Sequence, residues 1–436
     1  MKVKYLPLIL VLSLISCTAN KAESQLIKPS QSPSISTEIL NPEPIEIKLE
    51  DLPSPFSSDS ASKPPQILPI PSPRIFNLPE GFTVNVYAEG LNNPRWLALT
   101  PEGHVLVTET RDNRITLLED TNNDGVADRT SVFADKSNGL NIPFGMAFRD
   151  NYFFLGNHDA VKRYDYTQGQ LQLEGEGKQI ATLPGGGYNQ HWTRNVVVSP
   201  TEDKLYVSIG SRSNADVEEL PRASIQTMDF EGNNQETFAF GLRNPVGLDF
   251  HPVTKKLYTT VNERDGLGDD LVPDYFTSVV KGGFYGWPYS YLSPNLLDPR
   301  YENDTTNSEL VSQTITPDVL IKSHSAPLGM QFYDGDTFPE KYRHGAFVAF
   351  RGSWNRNEGT GYKLVFIPFD EQGNPKGYYE DFLTGFLIDR TIPSTWGRPV
   401  GVLVLPDGSL LFTEEANGVV YRVQYSEDRK TGRLYF

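Results

Sequence analysis

One segment recurs six times from Phe82 onward: a small or proline-bearing start, a β-rich run, a turn and a second β-rich run. The copies read NPRWLALTPEGHVLVTET, IPFGMAFRDNYFFLGNHD, WTRNVVVSPTEDKLYVSIG, NPVGLDFHPVTKKLYTTVNE, APLGMQFYDGD with GAFVAFRGS, and RPVGVLVLPDGSLLFTEE. They start near Pro94, Pro143, Arg194, Pro245, Pro327 and Pro399, at spacings of about 49, 51, 51, 82 and 72 residues. Alternating or β-branched runs broken by turn formers predict antiparallel hairpins. One such unit cannot bury its own faces, so repetition at this period predicts an all-β, six-bladed β-propeller with four-stranded antiparallel blades. The last copy supplies about three strands; the early run FTVNVYAEGL completes that blade and closes the ring, leaving only short edges. An array of β-sandwiches is the alternative. The two long spacings predict insertions after the fourth and fifth blades.

Ahead of the repeats, Lys2 and Lys4 precede an apolar run from Tyr5 to Ile15, too short to span a bilayer but suited to a secretory signal. It ends Leu14-Ile15-Ser16-Cys17, which resembles a bacterial lipobox whose Cys is lipidated; the plainer reading is an ordinary signal peptide. Residues 1–17 are therefore expected to be a lipoprotein signal, with Cys17 anchored outside the cytoplasm to a bacterial membrane, periplasmic or at the cell surface. From 18 to 73 the chain is rich in Ser, Pro, Glu and Lys without periodicity. That composition predicts a disordered tether. The propeller domain then occupies 74–436.

Charge narrows the partners. Asp and Glu number 55 against 39 Lys and Arg, a formal balance of −16. Nucleic acid and anionic headgroups favour clustered cations, so neither is expected as a partner. The single Cys excludes an intramolecular disulfide and a Cys-rich zinc site.

Among six histidines, His191 follows the Gly-rich PGGGYNQ and precedes the first strand of the third repeat, where a chain approaches a propeller's central channel. A neutral imidazole there could take a proton near pH 7; a hydrogen-bonded structural role is the alternative. Arg194, Arg243, Arg351 and Arg398 recur near blade starts and would converge on the axis as a cationic pocket for carboxylates, or else pair with acidic neighbours. NERDGLGDDLVPDY, Asn262 to Tyr275, offers carboxylates and backbone carbonyls of the kind Ca²⁺ prefers. Asp120, Asn122, Asp124 and Asp128 mimic part of a calcium loop but lack the acidic twelfth position, which is Ser131; an Asx-rich turn is the alternative.

Taken in order, HWTRNVVVSPTEDKLYVSIGS, GLRNPVGLDFHP, NERDGLGDD, KGGFYGWPYSY, HSAPLGMQFY, FRGSWNR with GYKLVFIPF, and WGRPVGVLVLPDGSLLF resemble the sorbosone dehydrogenase branch of the pyrroloquinoline-quinone (PQQ) sugar dehydrogenases. These are similar to soluble glucose dehydrogenase and its aldose-dehydrogenase relatives, and the resemblance runs from about Arg74 to Tyr425. It implies PQQ over the central channel with Ca²⁺ helping to hold it. It implies that His191 is the base removing the substrate hydroxyl proton as hydride passes to the quinone C5, with Arg243 and Asn244 at the cofactor plane. The backbone carbonyls of Asp265 and Gly266 would ligate Ca²⁺, and Arg351 and Arg398 would meet PQQ carboxylates. The substrate would be a sugar or sugar aldehyde, and the acceptor a membrane quinone or small carrier.

The resemblance is imperfect. A Gln before the second blade's strand is replaced by Leu140 or Asn141, of which Asn141 is the candidate cofactor contact. The calcium loop reads Glu263-Arg264-Asp265-Gly266 in place of Glu-Gln-Gly-Pro, and a late Asp-Asp pair becomes Glu414-Glu415. Two other functions compete: a catalytically inactive extracytoplasmic propeller binding carbohydrate or protein, and a calcium-dependent lactonase. Retention of His191, Arg243 and Asn244 together favours the enzyme.

Overall fold

In the computed structural model of the chain, the described residues are 25–26, 35–185 and 191–427. The signal and Cys17 lie outside them. No helix among the described residues is long and apolar enough to cross a membrane.

Each repeat contributes an antiparallel sheet whose first strand begins at the repeated Pro or shortly after it. These first strands are Pro94–Leu99, Met146–Arg149, Val196–Val198, Pro245–Phe250, Pro327–Phe332 and Pro399–Val404. Four of the six sheets run outward through the next three strands in chain order; the fourth skips Gly283–Phe284, which pairs parallel with Glu236–Phe240 of the third, and ends on Val319–Ile321. In the sixth, Pro399–Val404, Leu410–Glu414 and Val419–Tyr425 are completed by Phe82–Ala88, which pairs antiparallel with Val419–Tyr425. The ring therefore closes with the early strand that the sequence offers for it.

Apolar residues fill the gaps between neighbouring sheets. Leu106 and Leu117 of the first sheet meet Phe153 and Leu155 of the second, and Leu97 and Val107 of the first meet Leu403 and Val420 of the sixth. Similar clusters lie in the other four gaps. The first strands are buried on both faces and pack on one another in a cycle, the radial arrangement of a β-propeller. Glycine makes this approach possible. A Cβ on Gly247 would stand 2.5 Å from the Leu328 carbonyl, one on Gly329 2.4 Å from that of Val400, and one on Gly401 2.4 Å from that of Arg95. The repeated Pro-x-Gly is thus the packing code of the hub. Threonines reinforce it: Thr260 Oγ1 donates to the Leu328 carbonyl at 2.7 Å and Thr413 Oγ1 to that of Arg95 at 2.7 Å.

Two expectations need correction. The long insertion expected after the fourth blade lies within the fourth sheet, between Asp274–Ser278 and Val319–Ile321, and contains the short helix Ser308–Val311. The disordered tether expected over 18–73 is not what residues 35–73 form. They are a strap: Ile35–Ile39 pairs with Arg74–Leu78, Pro44–Ile45 with the outer edge of the fifth sheet, and Gln66–Ile67 with Ser394–Thr395. Ile45, Ile47, Leu49, Leu52, Leu68 and Ile70 rest on the clusters between sheets. No periodicity announces it because every partner edge belongs to a distant part of the chain.

Candidate active site

A cavity of about 620 Å³ opens where the first strands of the sheets begin. Hub geometry explains its lining: each sheet brings the residues just before or just after its inner hairpin to the same mouth. His191, Arg243, Asn244, Asp265 and Arg351 all reach it. Arg95, Trp192, His324, Trp354, Asn355 and Glu415 join them.

His191 sits with φ of +53°, a left-handed conformation that aims its ring. Its Nδ1 lies 3.0 Å from the Ser211 carbonyl, which can only accept, so Nδ1 carries the proton and Nε2 is the basic nitrogen. Burial first, then the charge of Arg243, pushes the imidazole well below its ordinary pKa. It is a neutral base at neutral pH.

Arg243 is 2 % exposed and spends its donors on the protein. Nε reaches the Asn214 carbonyl at 3.0 Å, Nη1 the Glu263 carbonyl at 2.7 Å, and Nη2 both Asn214 Oδ1 and Asp265 Oδ2 at 2.9 Å. Its plane is fixed before any ligand arrives. Burial alone would raise the Asp265 carboxyl, but Arg243 and His324 outweigh it and bring it down to about 2. His324 Nδ1 lies 3.6 Å from that carboxylate, and its Nε2 donates to the Gly268 carbonyl at 3.1 Å. Beside Arg243, the Asn244 amide oxygen is buried without a hydrogen-bond partner.

Across the cavity, Glu415 is gripped by Arg95 and Arg351 and accepts from Asn93 Nδ2 at 3.3 Å. Two guanidinium groups against one carboxylate leave this wall cationic. Arg95 also lies over the Trp192 ring at 5.0 Å.

The remaining expected residues do other work. Arg398 is not in the lining; its Nε and Nη2 donate to the carbonyls of Arg351 and Gly352 at 3.2 and 3.0 Å, holding that turn from behind. Burial and then Arg351 lower it to about 10. Arg194 likewise binds the carbonyls of His191 and Thr193, both at 2.8 Å, and so braces the base from outside the cavity. Asn141 faces outward to Asp159 at 2.8 Å, and Ile142 takes its place in the lining. The Asp265 carbonyl accepts from Asn214 Nδ2 at 2.8 Å, while its carboxylate is taken by Asn355 and Arg243. Each Asp265 oxygen thus already serves a protein donor, and Gly266 stands outside the lining.

Asp120, Asn122, Asp124 and Asp128 also lie outside it. They form an Asx-rich turn: Asp120 accepts from Asp124 N and Gly125 N at 3.1 and 2.8 Å, and Asp124 from Val126 N at 2.9 Å. The turn docks on the ring-closing strand, with Asn85 Nδ2 donating to the Gly125 carbonyl at 2.9 Å. Among the described residues no group of three or more His, Cys, Asp or Glu side chains could hold a metal ion.

Several site residues carried a usable signal. Arg95 follows Pro94 in the first repeat as Asn244 precedes Pro245 in the fourth, and Glu415 stood out as part of an acidic pair. His324 stands three residues before Pro327 as His191 does before Arg194, and Asn355 lies in FRGSWNR, whereas Asn214 sits in a loop of no repeated pattern.

Comparison with known proteins places this geometry. The sequence pattern of the TrAA12-like family matches residues 76–273 and 295–426. An uncharacterised protein of Borreliella burgdorferi is 28% identical over 375 residues, 80% of this chain and 91% of that protein. The pyrroloquinoline quinone-dependent pyranose dehydrogenase of Coprinopsis cinerea is 26% identical over 424 residues, 81% of this chain but 55% of its own length, so the chain spans about half of that relative. The holo form of its PQQ domain superposes with a TM-score of 0.65 at 21% identity, covering 80% of this chain and 97% of that one. Iodide and calcium structures of the Trichoderma reesei family AA12 enzyme give 0.67 and 0.65 at 20% identity, each covering 80% of this chain and 97% and 96% of theirs. The structural likenesses establish the fold.

Proposed function

Because the chain belongs to the TrAA12-like family, we propose that it is a six-bladed propeller dehydrogenase that binds PQQ in the hub cavity and oxidises a sugar or sugar aldehyde. The observation that carries the reading is that His191, Arg243, Asn244, Arg95 and Arg351, from different sheets, all line one cavity. PQQ is a flat tricarboxylate, and the cavity offers cationic walls and apolar surface at Trp192 and Leu328. A volume of about 620 Å³ suits such a group together with part of a substrate. When bound, PQQ supplies a two-electron acceptor for hydride.

The chain's own residues do the rest. Trp354, 46% exposed at the cavity, gives a sugar a flat apolar face. His191 Nε2 takes the proton of the substrate hydroxyl, the Ser211 carbonyl holding the tautomer required. Arg243, already saturated by its own loops, holds a fixed positive charge where negative charge develops. That charge also disfavours a lasting imidazolium, so His191 passes its proton on.

Calcium enters through the calcium structure of the Trichoderma relative. Binding by Asp265 and Gly266 would make the Asp265 carbonyl share its second lone pair with the ion while it accepts from Asn214, and metal dependence is measured separately. Lipid attachment at Cys17, an extracytoplasmic location and transfer of electrons to a quinone or small carrier complete the proposal.

The test adds PQQ to purified apoprotein, with calcium or with chelator, and follows dye reduction on aldoses, sorbosone and other sugar aldehydes. Saturable PQQ binding with turnover is expected. Binding without turnover removes the dehydrogenase reading, and absence of binding supports a carbohydrate- or protein-binding module.

A further inference from the structure

The strap runs between two anchored ends past the loops that carry Asp265 and Trp354. At the first end, Ile47, Leu49 and Leu52 rest on the apolar cluster between the third and fourth sheets; at the second, Gln66–Ile67 pairs with Ser394–Thr395. Between these anchors its bonds go to two loops that line the cavity. To the loop carrying Asp265, Phe56 N donates to the Leu267 carbonyl at 2.8 Å, and Ser58 Oγ accepts from Asp269 N at 2.9 Å. To the loop carrying Trp354 and Asn355, Lys63 N donates to the Trp354 carbonyl at 2.7 Å and Lys63 Nζ to that of Asn357 at 3.1 Å.

The contact at the first loop is close. A Cβ on Gly268 would lie 2.9 Å from Ser58 Oγ, and φ of +123° there is glycine's territory. The Gly268 carbonyl in turn receives His324, which faces Asp265 and hence Arg243. The two loops are also tied to each other, Arg356 pairing with Asp270 at 2.6 Å and Asn357 N donating to Asp269 at 3.1 Å.

We propose that residues 56–63 are a clip that sets the spacing of these two loops, and that Ser58 and Lys63 are positioning residues for the cavity. The segment touches loop backbone, so it acts on where Asp265, Trp354 and Asn355 stand. The clip itself follows from the contacts; its consequence for PQQ rests on the proposed function.

The test uses the full chain with Ser58→Ala combined with Lys63→Pro, which removes one acceptor and two donors, the Lys63 backbone N–H and its ammonium group. Hydrogen exchange is expected to quicken roughly tenfold in 265–270 and 353–357 and to stay unchanged in the sheets. Half-saturation by PQQ should rise roughly five- to tenfold while turnover at saturating PQQ holds within about twofold. Ser58→Thr with Lys63 intact, which keeps both groups, should behave as the parent chain. Exchange in both loops equal to the parent's overturns the clip, as does a uniform rise throughout the molecule. If the parent chain binds no PQQ, the proposed function falls and the exchange comparison still decides the clip.

Discussion

Glu415, carried by the sixth sheet, is ion-paired to Arg95, carried by the first, at the seam where the ring closes. Arg351 of the fifth sheet pairs with the same carboxylate, so three sheets share one buried charge cluster. Burial alone would raise this carboxyl, but Arg95, Arg351 and Arg398 outweigh it and hold it well below the ordinary carboxylate range. A depressed carboxylate contributes stability above its unfolded value, near 4.3, and loses it as pH falls through the native one. Glu415→Gln should therefore destabilise by roughly 3 kcal/mol near neutrality and flatten the acid side of the stability curve. Denaturant unfolding between about pH 3 and pH 7 checks both; an acid limb as steep as the parent's would assign the loss to other groups.

His191→Ala should lower turnover by roughly 10²–10⁴ and leave PQQ affinity nearly unchanged. Burial and Arg243 depress the imidazole, so the base stays neutral well below its ordinary range. In the parent enzyme the acid fall of kcat/KM should accordingly come at a pH below the usual imidazole value of about 6.5. A pH–rate profile with a fall at or above that value would remove His191 as the base.

Gly401→Ala and Gly247→Ala should each cost roughly 1–3 kcal/mol, because the added methyl meets a backbone carbonyl of the adjoining first strand. Thermal unfolding of the two variants reads this directly. Parent-like stability would mean that the first strands can part without penalty.

Asn141→Ala should change PQQ affinity and turnover by less than about twofold, since the side chain is exposed and bonded to Asp159. PQQ titration monitored by protein fluorescence decides it, and a tenfold loss would return Asn141 to the site.

The hub was the legible part of this molecule. Pro245-Val-Gly247, Pro327-Leu-Gly329 and Pro399-Val-Gly401 repeat because each first strand meets the same neighbour in the same way, and a repeated constraint leaves a repeated word. His191, Arg243 and Asn244 could be found beside those words. Arg398 and Arg194 have the same address but face backward, and direction depends on carbonyls that no motif encodes. Asn214 was hidden for another reason: it serves Arg243 and Asp265 across long stretches of chain, from a loop that resembles nothing else in the sequence. The strap hid completely, because two- to five-residue strands have no pattern apart from the edges they join.

Pairing of Phe82–Ala88 with Val419–Tyr425 has a consequence during synthesis. A nascent chain can stack its first five sheets as they leave the ribosome, yet the early strand has no partner until Val419–Tyr425 has been made. Through all that time one unsatisfied edge is exposed to the strands of other newborn chains. Ring closure thus waits on a single late latch, and a message cut short before codon 419 would yield a molecule left permanently ajar.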